Sequence, residues 1–327
     1  MVVNTKTIPP ILQDLRIPVI GAPMFTVSYP ELVKAQCKAG IVGSYPALNV
    51  RTNALLDEWL TDINTELDSY KKENPQATVG PIAVNLIIHR TNPRLEEDLA
   101  ICVKHKVPII ITSLMAPVPE LIEAVHSYGG IVLHDVINVR HAEKAIEAGV
   151  DGLVLVAAGA GGHGGTTSPL ALVGEVKKFF SGPIILSGAI STGDVVLAAQ
   201  VMGADFAYIG TKFIASEEAN AVDEYKQAIV NANAADIVYT DYFSRVHGNY
   251  LKESVTKAGL ELADLDKLNK DNLSFVKEGA NAKTWKDIWG AGQGVGLIDE
   301  VLDVATIVDN LENEYQIAVD RVATFKH

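Results

Sequence analysis

A (β/α)8 barrel, the TIM-barrel architecture, is the fold this sequence predicts, and three observations carry it. Eight short apolar runs recur at residues 18–24, 41–48, 81–88, 108–114, 131–136, 152–158, 183–190 and 206–213. Near-continuous apolar runs mark parallel strands covered on both faces. Segments of helical spacing separate them, and four end on glycine just ahead of the next strand, in "KAGIVG", "SYGGIV", "EAGVDG" and "VMGADF". Glycine closes a helix by adopting a left-handed conformation, so its recurrence marks a repeated helix-to-strand unit. Eight such units close into a barrel with its chemistry at the C-terminal strand ends. An open, doubly wound sheet is the competing arrangement.

Composition sets the outer limits. The chain has 327 residues, 48% of them hydrophobic, enough for one large domain with a sizeable core. A formal charge of −13 argues against nucleic acid and against an anionic membrane surface. No apolar run approaches the roughly 20 residues that span a bilayer. The opening "MVVNTKTIPP" lacks a basic stretch followed by an apolar core. Cys37 and Cys102 fall in helix-like segments and suit a reducing compartment. The expectation is a soluble, cytoplasmic protein.

Along the chain, Asn138 is placed to cap the helix in which Val139, Ala142, Ala145 and Ile146 recur. Ser191 or Thr192 opens the helix ending near Gly203, and Ser168 caps the one beginning at Pro169. The alternation stops after about residue 228. The expected organisation is a barrel over 1–228, a smaller, mainly helical substrate-side region over 229–298, and a C-terminal helix over 299–327 returning to the barrel.

The stretch "AAGAGGHGGTT", residues 157–167, places five glycines and His163 at the end of the sixth strand. Two neighbouring strand ends are equally bare, "SGAISTGD" after the seventh and "IGTKFIAS" at the eighth. Barrels of this kind commonly hold phosphate in the loops after strands seven and eight. Gly188, Ala189 and Gly193 can present backbone N–H groups, and Gly210 and Thr211 can add an amide and a hydroxyl. The plainer alternative is that these glycines only make tight turns.

Several chemistries find no support. Strands one to seven carry no lysine for a Schiff base, and Lys212 in the eighth directly follows the phosphate signal. No cysteine follows strand six. His89, His134 and His163 have no carboxylates at metal-ligand spacing, and His134 and Asp135, adjacent on a strand, point to opposite faces. The chemistry then falls to a phosphate-bearing organic cofactor, and flavin mononucleotide (FMN) fits. Its ring could lie against "GAPM" at residues 21–24 and Asn85, with the phosphate in the loops after strands six to eight, and Ser187 is a further cofactor contact.

These residues resemble the nitronate monooxygenase family, formerly the 2-nitropropane dioxygenases. The likeness rests on "PVIGAPMFTVS" (18–28), "VNL" (84–86), "AGAGGHGG" (158–165), the run from "LSGAISTGD" through "IGTKFIASEEA" (186–219) and "WGAGQGVGLIDEV" (289–301). It implies an FMN-dependent barrel in which Ala22, Pro23 and Met24 pack along the flavin and Asn85 hydrogen-bonds its ring. Gly161, Gly162, Gly188, Gly210 and Thr211 would hold the phosphate, and Gln293, with Gly292 and Gly294, would approach the ring. His163 matches the active-site histidine. The implied reaction is oxidation of alkyl nitronates by O2 to carbonyl compounds and oxidised nitrogen. The implied partners are a nitronate or similar anion and O2, and a homodimer is compatible. Ala157–Ala160 depart from relatives that carry a polar residue there.

Alternatives remain at several residues. His163 could instead bond the phosphate loop, and Asn85 could be a strand-end cap. His134 reads better as a core histidine, and His89 as a loop residue. Tyr239, Tyr242, Phe243, His247 and Tyr250 line a pocket or make a small core, and Trp285 with Trp289 would brace the "AGQGVG" turn. At the level of function, the nearest rival is an FMN-dependent NAD(P)H reductase of quinones or enoyl thioesters. A non-catalytic binding barrel and a flavin-free lyase or isomerase stand further off.

Overall fold

The computed structural model describes residues 8–265 and 287–325. Trp285 lies outside them. Eight parallel strands form the centre: β1 (Val19–Gly21), β2 (Gly43–Pro46), β3 (Ile82–Ile88), β4 (Ile109–Leu114), β5 (Ile131–Val136), β6 (Gly152–Val156) and, after a two-residue strand β7 (Gly162–His163) outside the barrel, β8 (Ile184–Ser187) and β9 (Phe206–Ile209). They pair in the order β1-β9-β8-β6-β5-β4-β3-β2. A parallel bridge between Ile20 and Val42 joins β1 to β2 and closes the sheet into a barrel.

Helices α1 (Pro30–Lys38), α2 (Asn53–Glu73), α3 (Leu95–Lys104), α4 (Pro119–His126), α5 (Val139–Ala148), α6 (Pro169–Val176) and α7 (Gly193–Met202) follow the first seven barrel strands. A short α8 (Thr211–Ile214) follows the eighth. Lys212 therefore belongs to α8 and not to a strand, because the chain leaves the barrel wall at Gly210. The predicted helix ends hold: Gly40, Gly129, Gly149 and Gly203 have φ of 87°, 85°, 94° and 112°. Asn138 caps α5 by accepting from His141 N at 2.9 Å. Ser168 takes the N-cap place before Pro169 without a side-chain capping bond.

The apolar side chains divide in two, as period-2 strands inside a ring of helices require. Ile20, Val42, Ala83, Ile109, Leu133 and Val154 are among those that fill the barrel. The larger outer layer packs strands against helices, including Leu32, Leu56, Ile110, Leu153 and Leu186.

At the start of α7, Thr192 takes the N-cap place, as the sequence allowed, without a side-chain capping bond. Instead Gly193 N donates to Glu314 Oε2 at 2.7 Å, reaching across to α11 (Val304–Ala323), the terminal helix. A methyl group on Gly193 would lie 2.0 Å from Leu311 O and 2.3 Å from Tyr315 N. Gly193 serves helix packing, and its N–H is already taken. It is withdrawn from the proposed anion site.

After α9 (Asp223–Asn231) the chain forms strands that the sequence reading did not foresee. β10 (Ile237–Thr240) pairs antiparallel with β11 (Gly248–Leu251), which continues onto β7. A short α10 (Lys252–Lys257) follows. Phe243, Tyr250, Val255, Leu265 and Ile288 make a separate small core beneath this sheet. For Phe243 and Tyr250 the small-core reading therefore holds.

Gly193→Ala should lower unfolding stability by about 2–3 kcal/mol, the cost of overpacking a rigid backbone contact. Gly174→Ala, inside α6 with nothing within 4 Å, should be neutral or gain up to about 1 kcal/mol. Urea unfolding of both variants tests the assignment.

Candidate active site

The glycine-rich stretch after β6 answers a contact from the far end of the chain. Gln293 N donates to Gly159 O at 2.9 Å, and Gly292 N donates to Thr211 Oγ1 at 2.9 Å. A methyl on Gly161 would come within 2.8 Å of Gly292 N, and one on Gly292 within 2.6 Å of Gly159 O. Three glycine backbones are thus stacked where no side chain fits. Tyr225 holds the approaching segment: its hydroxyl donates to Gly290 O at 2.5 Å and its ring stacks on Trp289 at 5.0 Å. Trp289 braces the turn as expected, with Tyr225 as a partner the sequence did not reveal.

Most of the predicted contact residues converge. Around Gly159 lie Ala189 Cβ and Gln293 Oε1, each 3.2 Å from a methyl built there. Thr211 Oγ1 is 3.2 Å from one built at Gly161, and Ala22 Cβ and Met24 Sδ are 3.5 Å from one at Gly210. Ser187 and Asn85 stand on β8 and β3, two residues beyond the interior-facing Ile185 and Ala83, so both face into the barrel near its C-terminal end. The loop after β1 that carries Ala22, Pro23 and Met24 is pinned by Asn49. Its Nδ2 donates to Met24 O at 3.1 Å and Ser28 O at 2.7 Å, while its Oδ1 accepts from Thr26 N at 2.8 Å. Asn49 escaped sequence reading because its partners are backbone atoms.

The mouth also has spare donors. Among the described residues, the N–H groups of Gly161, Gly188, Ala189 and Thr211 find no hydrogen-bond acceptor. Gly188 and Ala189 lie at φ of 139° and 54°, the second a left-handed conformation that L side chains seldom adopt. Successive N–H groups in such turns form anion-binding concavities. Thr211 Oγ1 accepts from Gly292, which leaves its own proton to donate.

His163 is held by the small sheet, its β7 position pairing with Gly248 of β11. Its Nε2 meets Ser244 Oγ at 2.6 Å, and Ser244 Oγ donates to Val246 O at 2.9 Å. Ser244 therefore accepts from His163, putting the imidazole proton on Nε2. Burial pushes the imidazole down to about 4 from 6.5, so it is neutral at physiological pH. Tyr239 donates to Gly164 O at 3.0 Å and stacks on His247 at 5.0 Å, fastening the same loop. Neither the Ser244 bond nor the Tyr239 bond to Gly164 was legible, since the partners are more than seventy residues apart in sequence.

His134 and His89 are each bonded to a neighbouring threonine and stand apart from the mouth's glycine cradle. His134 is 3% exposed, with Nδ1 at 2.8 Å from Thr112 Oγ1, and burial pushes it down to about 4. His89 Nδ1 lies 2.7 Å from Thr91 Oγ1 in its own loop. Asn85 Nδ2 donates to Ile111 O and Ser113 Oγ, each at 3.2 Å, leaving Oδ1 without a protein donor. Among the described residues, no group of three or more His, Cys, Asp and Glu side chains could hold a metal ion, and no helix is long and apolar enough to cross a membrane.

Fold and mouth define a class, a TIM-barrel enzyme working at a glycine-lined opening. Comparison with known proteins makes the class specific. The sequence profile of the nitronate monooxygenase family matches residues 10–314, and the chain belongs to that family. It is an oxidoreductase. A Staphylococcus aureus (strain MSSA476) protein named "Probable nitronate monooxygenase" is 26% identical over 338 residues, covering 92% of this chain and 95% of its own. In fold the chain is similar to FabK from Thermotoga maritima, with a TM-score of 0.74 at 22% identity over 96% of each chain. It is also similar to nitroalkane oxidase from Streptomyces ansochromogenes, with a TM-score of 0.74 at 22% identity over 95% of this chain and 99% of that one.

The depressed imidazoles give a pH prediction. The unfolded histidine takes up a proton below about 6.5, whereas the folded one resists until about 4. The stability is therefore complete above pH 6.5 and lost as pH falls. Acidifying from pH 7 to 5 should cost about 2 kcal/mol through His134 alone. Urea unfolding at both pH values, with His134→Gln to remove that contribution, checks it.

Proposed function

We propose that this protein binds FMN and oxidises small alkyl nitronates with O2 to carbonyl compounds and oxidised nitrogen. The observation that carries the reading is a neutral imidazole fixed beside a cradle of unpaired backbone N–H groups. The cradle fits a phosphate: Gly188, Ala189 and Thr211 offer donors without side chains in the way, and Gly161 adds another. Ala22, Pro23 and Met24 would border the ring, with Asn85, Ser187 and Gln293 as polar neighbours and Gly162 and Gly210 giving close approach. When bound, FMN supplies the electron transfer between substrate and O2.

The chain's own residues set the substrate's surroundings. His163, neutral and oriented through Ser244, acts first as a hydrogen-bonding group and not as a fixed cation. An anion placed beside it raises its proton affinity, so a nitronate would draw a proton onto the ring as it binds. Residues 229–265 and 287–298 are the substrate-side wall in this reading, because β11 and the segment before Gln293 hold β7 and the glycine stretch in place.

A reductase passing electrons from NAD(P)H is the second reading. The enoyl reductase domain of MlnA from Bacillus amyloliquefaciens has a similar fold, with a TM-score of 0.74 at 14% identity.

Anaerobic spectroscopy separates the two. Propionate 3-nitronate or propyl 2-nitronate should bleach the flavin band of the purified protein, while NADH leaves it unchanged. Bleaching by NADH alone would move the assignment to a reductase. His163→Ala should keep FMN bound yet lower nitronate turnover by about a hundredfold, the scale of losing a positioned proton-handling group. Unchanged turnover would remove His163 from the chemistry.

A further inference from the structure

Asp135 is the one carboxylate turned into the barrel near its mouth whose place neither the fold nor the proposed reaction has used. Along β5, Ile131 and Leu133 face the interior, so Asp135, two residues on, does as well, while His134 turns to the opposite face. The ladder fixes its height. Asn85 on β3 pairs with Ile111 on β4, and Ile111 pairs with Leu133 on β5. In a barrel with a shear of about eight, the level rises by about one residue per strand. Two strands on from Asn85, the residue at its height is Asp135. The same count from Asp135, through its partner Val154 on β6 and Ile185 on β8, arrives at Ser187. Counting back from Asn85 through Pro46 leads to Ala22. Ala22, Asn85, Asp135 and Ser187 form one ring of four from alternate strands, in the C-terminal half of the barrel interior.

Three members of that layer already stand as ring contacts in the FMN reading. The fourth carries an unmet demand. Asp135 Oδ1 is buried and has no hydrogen-bond partner, and the hydroxyl of Tyr208, from β9 one step lower, is in the same condition. A buried carboxyl oxygen left unpaired is costly. Among the described residues, Asp98, the other buried acid with an unpaired oxygen, is at least tied through Oδ1 to Arg94 at 2.7 Å, whereas Asp135 has no such cation beside it.

We propose that Asp135 is a cofactor contact, its carboxyl group hydrogen-bonding the flavin ring bordered by Ala22, Asn85 and Ser187. The inference rests on the FMN reading. Burial alone pushes the Asp135 carboxyl up to about 7, so the acid that donates and the carboxylate that cannot interconvert near neutral pH. The group facing it stays uncharged there: Tyr208, from β9, is held well above 10 by burial and by Asp135 itself. His134, on the other face of β5, and His163 at the mouth are held near 4 and are neutral as well.

The test is FMN titration of flavin-stripped protein between pH 6 and 9, for the wild type, the isosteric Asp135→Asn and the apolar Asp135→Leu. Ionisation of Asp135 removes the donor, so wild-type affinity should fall with rising pH above about 7, by up to about tenfold per unit. Asp135→Asn should lose that dependence. The second ionisation of the phosphate, near pH 6, is common to all three. Asp135→Leu should bind about fivefold more weakly at pH 6, the scale of one hydrogen bond. A readout that needs no variant to fold is the infrared carbonyl band of a protonated carboxyl, which should shift when FMN binds the wild type. FMN binding with the same pH profile in wild type and Asp135→Asn, and no band shift, overturns this inference alone. Failure of the wild type to bind FMN overturns it together with the cofactor reading.

Discussion

The backbone of Gly292 lies against those of Gly159 and Gly161 at distances that no β-carbon would permit, and the mouth of the barrel is arranged around that contact. It brings Gln293 over Gly159, engages the Thr211 hydroxyl, and brings the C-terminal segment to the loop that carries His163. Gly159, Gly161 and Gly292 all lack a side chain at the point of contact, so the joint is close and specific at once. The small sheet of β7, β10 and β11 secures the loop from its other side, with Asn249 Nδ2 donating to Ala160 O at 2.6 Å.

The electrostatics of the mouth are local. A protein of net charge −13 does not attract an anion from a distance. Binding one requires short-range donors, and the described residues offer backbone N–H groups and the Thr211 hydroxyl. Neutral donors of this kind are screened less by salt than a surface cation would be, because they act at contact. The same economy applies inside the barrel, where burial keeps His134 neutral and raises Asp135.

The barrel was legible because its signals are short in range. Apolar strands, a glycine at each of four helix ends and the Asn138 cap all act within a few residues of themselves. Family motifs extended this to the mouth, and Gly159, Gly161, Ala189, Thr211 and Gln293 do come together. Pairings across the chain were not legible. β10 and β11 are four residues each and gain their place from β7, far upstream. Ser244 and Asn49 bond to atoms that no pattern identifies. Gly193 looked like an anion donor because its role depends on a helix 121 residues later. Asp135 was set aside as half of a mismatched metal pair. The alternation that separated it from His134 also carried the answer, once the register showed which of the two faces the interior.

The Glu314 carboxylate that receives Gly193 N bears on how the molecule is made. As the chain emerges from the ribosome, all eight barrel strands precede α11, and they can close before it appears. Until then α7 starts with a bare positive end facing solvent, and the glycine stretch after β6 has nothing resting on it. The opening is thus completed only by elements translated after the barrel strands, and part of the outer core waits for them too, since Val304, Ile307, Val308 and Leu311 are buried within it.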